Sequence, residues 1–368
     1  MPLRRAGFTA LLIAVPALLH ANPSPCRMAA GYIPVPGVTL DEDSREVVAT
    51  QGPFRPAPAM DHDDMEMMDG MAMPEMADTI VQRFEWPVNG WLRGFRLDIC
   101  GPDGKAFPEE VMHHMVLVDL GRRQLWRPIA ERLLGIGEET ADASLPASVG
   151  APVHRGEPMA IHIMWHNTTG HPIEAYYRLT LLYTPVNMAP RPTDMLPVVF
   201  EVSPAVGVLP AYDIPPGRSE ASSMFTVPAA GRVLAVGGHL HNYGVSVGVV
   251  DGVTGRLLFR VRSRRNPDGT VYGVRRRLLA IRGRGVRLKA DHPYRIVAVY
   301  DNPTADTVRG VMAQLATMFA PDRRAAWPAV DTTNAEFRRD LDSMRGADVP
   351  VDRVENLVAT EDRRTRTP

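Results

Sequence analysis

The sequence predicts an all-β chain: two β-sandwiches in tandem, preceded by a disordered Met-rich arm and followed by a polar tail. Three observations carry this. The 368 residues suffice for two ordinary domains. The 34 prolines and 30 glycines punctuate the chain too often for long helices. From about residue 81, short runs that alternate apolar and polar residues recur between turn signals. Hydrophobic residues make up 45%, enough for each sandwich to build a core. The net charge of -1 asks for neither nucleic acid nor an anionic membrane as partner.

Residues 1–21 read as a secretory signal peptide. Arg4 and Arg5 supply the positive start, Phe8 to Leu19 an apolar run too short to span a membrane comfortably, and Ala21 a small residue for cleavage. A retained anchor is the alternative, and no later stretch is long and apolar enough to be a transmembrane helix. The expected location is periplasmic or secreted. Pro25 before Cys26 argues against a lipoprotein. Cys26 and Cys100 are the two cysteines, and they can pair in an oxidising compartment.

Residues 22–80 read as a flexible arm, stiffened by Pro53, Pro56 and Pro58. Within it, Met60 to Met76 holds seven methionines in seventeen residues, mixed with acids and His62. No apolar periodicity is present, so this is no core helix. Either it is a low-complexity linker, or Met65, Met67, Met68 and Met71 gather metal.

The first sandwich is expected over 81–187, with strands at Gly94–Cys100, Met115–Leu120, Met159–His166 and Ala175–Tyr183. A short helix is expected over Arg127–Ile136. Met188 to Pro192 reads as the linker. The second sandwich, 193–321, has strand signals at Val198–Val202, Ser223–Val227, Arg232–His239, Gly244–Asp251, Arg256–Arg262, Arg284–Leu288, Tyr294–Tyr300 and Val311–Phe319. The polar tail, 322–368, carries a helix signal at Thr333–Met344, and its end from Arg363 reads as disordered.

The 11 histidines group unevenly. His239 and His241 project from one face of a strand and can chelate one ion. Gly237 and Gly238 allow close backbone approach before them, and Gly244 suggests a bend after them. His113 and His114 are adjacent, so on a regular strand they point to opposite faces; both reach one metal only at a strand end or bulge. His162, Met164 and His166 share a face under strict alternation. His154, His171 and His292 read as loop residues. Imidazole with thioether is a soft-to-intermediate donor set, which suits copper, Cu(I) above all. The plain alternative is a pair of sandwiches whose histidines bind nothing.

These segments, taken in order, resemble a known family. Met112-His113-His114-Met115 resembles the paired-His motif of the ascorbate-dependent copper monooxygenases, which include peptidylglycine α-hydroxylating monooxygenase and dopamine β-monooxygenase. Gly237-Gly238-His239-Leu240-His241 resembles the family's H-x-H. Met312-Ala313-Gln314-Leu315-Ala316-Thr317-Met318 resembles its strand with the copper-ligating Met. The resemblance covers about residues 85–320.

It implies two jelly-roll-like domains facing each other across a solvent-filled cleft, holding one or two copper ions. His113, His114 and a third His would hold the electron-supplying copper. His239, His241 and Met312 would hold the copper that activates O2 to hydroxylate a C–H bond, with ascorbate as reductant. Two departures matter. Met164 stands where the family has its third His, with His162 or His166 as substitutes. Gly237 and Ala316 stand where peptide-amidating members carry Arg and Tyr, so amidation is not the expected activity and a small-molecule substrate stays open. Two functions therefore remain: a copper-dependent monooxygenase, or a periplasmic copper sequestration or delivery protein.

Overall fold

The computed structural model describes residues 36–58, 79–108, 111–137, 142–167, 169–202, 212–280, 285–323 and 327–353. They form the two jelly-roll-like β-sandwiches that the sequence predicts. In the first, one sheet runs in the order Thr193–Asp194, Val149–Val153, Gly90–Cys100, Ala175–Pro185, Glu46–Phe54, Gly37–Asp41, Val351–Arg353. The facing sheet runs Ala347–Asp348, Thr79–Glu85, Pro158–Trp165, Met112–Arg123, Ala130–Gly137. Trp86, Leu117, Ile161, Ile163, Tyr177 and Leu179 fill the space between them.

The second sandwich has one sheet ordered Leu196–Glu201, Ala313–Pro321, Gly231–Val236, Arg277–Leu278, with His239–Leu240 also paired to Ala313–Pro321. Its facing sheet runs Gly217–Phe225, Tyr294–Asn302, Gly244–Asp251, Leu257–Arg265, Val271–Val274. Phe200, Val233, Val249, Ile296, Leu315 and Phe319 make its core.

Three expectations need correction. Residues 37–54, assigned by sequence to the arm, are two antiparallel strands inside the first sandwich. Val47, Val48 and Ala49 are buried there, and burying that run offsets the ordering cost that Gly52 and Pro53 suggest to a reader of sequence. The described part of the polar tail likewise belongs to the fold: Ala347–Asp348 and Val351–Arg353 each add a parallel strand to the first sandwich, and the end from Arg363 lies outside the described residues. The helix expected at Arg127–Ile136 is instead the strand Ala130–Gly137, paired with Met112–Arg123. Gly135 and Gly137 disfavour a helix there, and cross-strand pairing of Ile136 with Met115 decides the outcome. Residues 1–21 and Met60–Met76 lie outside the described residues.

The one helix expected in the tail is Ala335–Ser343. Asn334 caps it, its side chain accepting from the N–H groups of Glu336 at 2.9 Å and Phe337 at 3.1 Å. Phe337 docks the helix on Val118, Ala130 and Ala160 of the first sandwich.

The two sandwiches are joined by more than their linker. The turn after the Met112–Arg123 strand sends Leu125, fully buried, into the core of the second sandwich. Trp126 follows, its indole N–H donating to the Val199 carbonyl at 2.6 Å and its ring lying 5.9 Å from that of Phe200. Arg127 pairs with Glu201 of the second sandwich and, at 2.8 Å, with Glu336 of the helix. In return, the Trp327 indole donates to the Arg123 carbonyl at 2.9 Å. Apolar burial with satisfied polar groups fixes one sandwich against the other.

Candidate metal centre

The first group of ligand candidates stands on the Met112–Arg123 strand. Met112 pairs with Trp165 and His114 with Met164, so one extra residue is accommodated between them. This is the bulge that adjacent histidines need in order to act together. Met112 and Met115 go into the core, while His113 and His114 are both half-buried with rings 5.2 Å apart.

Strict alternation supplies the second group. Ile161, Ile163 and Trp165 are buried in the first core, so His162, Met164 and His166, all half-buried, stand on the opposite face of that sheet. The His162 ring lies 5.7 Å from that of His114, and the His166 ring 6.1 Å from that of His113. Each of the two histidines weighed as third partner thus stands beside one member of the pair.

The third group belongs to the second sandwich. His239 pairs with Gln314 and Leu240 with Ala313 in a two-residue strand, after which the chain turns. Gly238 makes this possible. A Cβ there would sit 2.8 Å from the Gln314 carbonyl oxygen, closer than side chains approach backbone. The bend is closed by the Gly244 N–H donating to the His241 carbonyl at 3.0 Å, with Tyr243 at φ 66°. The rings of His239 and His241 end 5.0 Å apart. Met312 lies between the strands Val308–Val311 and Ala313–Pro321, and its carbonyl accepts from the His241 N–H at 3.3 Å.

The two halves meet. His113 and His241, from different sandwiches, have rings 6.1 Å apart. Six imidazoles form one run: His162, His114, His113 with His166, His241, His239. The remaining described histidines are elsewhere, as expected of loop residues: His154 against Glu157, His171 against the Thr169 carbonyl, His292 against Asp251. Met65, Met67, Met68 and Met71 lie outside the described residues.

Burial disfavours the charged form of two members of the run, His114 and His162. Burial, followed by the neighbouring His113, His162, His239 and His241, pushes the His114 imidazole down to about 3. His162 is lowered too, by burial first and then by Arg132, against the opposing pull of Asp340. A neutral imidazole offers the lone pair that a metal needs.

A metal-bound imidazole nitrogen at about 2.0 Å puts its ring centroid about 3.1 Å from the ion. Two rings sharing an ion are then about 5 Å apart at a tetrahedral angle and about 6 Å apart when opposed. The five ring separations run from 5.0 to 6.1 Å, the range that two imidazoles sharing one ion would need with their nitrogens turned toward it. Among the described residues no three His, Cys, Asp or Glu side chains close around a common point. A bound ion would take a third donor from a ring rotation or from a thioether, with Met164 opposite His114 and Met312 beside His241.

Sequence reasoning missed the residues behind this run. Gln314 stands opposite His239 and donates to Glu201 at 3.4 Å, and Tyr300 donates to the Met312 carbonyl at 2.7 Å. Both sit in ordinary strand patterns, and only the tertiary pairing marks them.

No protein-family model and no curated protein matches the chain. Among solved structures, the major capsid protein P2 of bacteriophage PM2 aligns over 65% of this chain and 91% of its own, at 11% identity and a TM-score of 0.32. PNGase F, a glycosylasparaginase from Flavobacterium meningosepticum, aligns over 74% of this chain and 96% of its own, at 10% identity and a TM-score of 0.34. Likeness at this level carries no inference about the site.

Proposed function

We propose that this chain is an exported copper-binding protein whose metal is held between the two sandwiches. The ligands are His113 and His114, with His162 and His166, on one side, and His239, His241 and Met312 on the other. The observation that carries this reading is the contact of His113 with His241, which turns two ligand groups into one. Imidazole and thioether together favour copper over hard cations. Export accords with Cys100, which is disulfide-bonded; the second cysteine, Cys26, lies outside the described residues.

Sequestration or delivery fits the geometry better than catalysis. Rings 6.1 Å apart leave room for an ion but none for an organic substrate between them. The flanks of the Met-rich segment support copper handling as well. Pro58, just before it, bridges to Asn167, and Thr79, just after it, pairs with Met164. Both described flanks of the segment thus lie beside the strand end that carries Met164 and His166.

Hydroxylation of a C–H bond with O2 and ascorbate is the second reading. The hydrogen bond that ties His241 to Met312 favours it, because it sets the H-x-H and the Met side by side. Copper would then supply O2 activation, and the sandwiches would have to part to admit substrate. Ascorbate-dependent O2 uptake by the copper-loaded protein separates the two. Uptake that rises with an added organic substrate supports the enzyme; tight copper binding without such uptake across apolar and aromatic substrates supports sequestration.

A further inference from the structure

Met312 occupies an unusual place in its sheet. The strand before it, Val308–Val311, pairs with Tyr212–Ile214, and the strand after it, Ala313–Pro321, pairs with Leu196–Glu201. Met312 itself falls in the break, outside both ladders. Its carbonyl accepts two hydrogen bonds, one from the His241 N–H at 3.3 Å and one from the Tyr300 hydroxyl at 2.7 Å.

Tyr300 comes from the facing sheet. It sits near the end of the Tyr294–Asn302 strand, fully buried, and reaches across the core of the second sandwich. Tyr212 donates in turn to the Tyr300 hydroxyl at 3.3 Å, with the two rings edge-on at 5.9 Å. The same strand also holds the turn that follows His241. Tyr300 pairs with Gly244, and the Asp301 N–H donates to the Tyr243 carbonyl at 3.0 Å. One strand thus holds both the turn that follows the H-x-H and the backbone of Met312. A phenylalanine would fill the same volume, so packing does not require the hydroxyl; its one direct acceptor is the backbone of the thioether residue.

We propose that Tyr300 is a positioning residue for copper: its hydroxyl fixes the Met312 carbonyl and thereby holds the Met312 thioether in its orientation beside His241. The inference rests on the reading of His241 and Met312 as ligands. Outer groups of this kind tune metal affinity by about 10- to 100-fold, and a soft thioether acts on Cu(I) more than on Cu(II). Tyr300 therefore selects for the reduced ion.

The test uses the full chain and four proteins: parent, Tyr300→Phe, Tyr212→Phe and Met312→Leu. Cu(I) and Cu(II) affinities are measured by competition with chelators, and sulfur scattering from Cu(I) by X-ray absorption. Tyr300→Phe is expected to lower Cu(I) affinity by about tenfold or more, to leave Cu(II) affinity within about threefold, and to weaken the sulfur signal, as Met312→Leu does. Tyr212→Phe, which leaves the bond to Met312 in place, is expected to change Cu(I) affinity less than Tyr300→Phe. A Tyr300→Phe protein with parental Cu(I) affinity and sulfur signal overturns the inference while Met312→Leu still shows the loss. Equal loss of Cu(I) and Cu(II) in Tyr300→Phe makes the residue merely structural and overturns it too. A Met312→Leu protein that binds Cu(I) like the parent removes Met312 from the ligand set, and this inference falls with that reading.

Discussion

Replacing His114 by Asn should flatten the acid side of the metal-free protein's stability curve. The folded-state value of His114 is about 3, and the cause is burial first, then four neighbouring histidines. An unfolded His titrates near 6.5. Between those two values the unfolded chain binds a proton that the folded chain refuses, so stability rises with pH across this window. The contribution is whole above about pH 6.5, declines as pH falls toward 3, and is lost below that. From pH 7 to pH 5 a single group with this shift costs about 2 kcal/mol, and solvent screening of a half-buried ring trims that to about 1–2 kcal/mol. The assay is urea unfolding of chelator-treated protein at pH 7 and pH 5. The parent should lose that amount more than His114→Asn does over the same interval. Equal pH dependence in the two proteins would refute the claim that His114 is a buried, neutral imidazole beside its four neighbours.

Three further outcomes follow from the packing. Gly238→Ala drives a Cβ to 2.8 Å from the Gln314 carbonyl oxygen, so it should cost about 1–3 kcal/mol in unfolding experiments and weaken copper binding by displacing His239. Leu125→Ala removes a fully buried side chain that the first sandwich lends to the second core; a loss of about 2–5 kcal/mol is expected on denaturant unfolding. Deleting Met60–Met76 should lower the copper bound per chain in an equilibrium dialysis; unchanged capacity makes that segment a linker only.

The local patterns were legible where alternation is strict. Gly244–Asp251 is the strand its sequence announces, and Ile161, Ile163 and Trp165 declare one face of their strand so clearly that His162, Met164 and His166 must share the other. His113 and His114 gave a conditional answer, since adjacency needs a bulge and a bulge depends on the partner strand. Pairing and docking could not be seen. The Glu46–Phe54 strand hides behind Gly52 and Pro53, and Ala130–Gly137 opens on Ala130 to Leu134, a run that suits a helix, before its two glycines and its pairing with Met115 and Leu117 make it a strand. The meeting of His113 with His241 depends on Leu125, Trp126 and the Ala335–Ser343 helix, none of which bears on metal chemistry. That meeting is a tertiary fact with no local signature.

The central claim is that both sandwiches contribute ligands to the copper. Copper bound per chain, measured after loading and desalting, tests it in three proteins: the parent, His113→Ala with His114→Ala, and His239→Ala with His241→Ala. Shared ligation predicts that either pair of substitutions lowers the affinity for the same copper and changes its Cu(II) spectrum. A spectrum and stoichiometry in the His239/His241 variant identical to the parent's would contradict it.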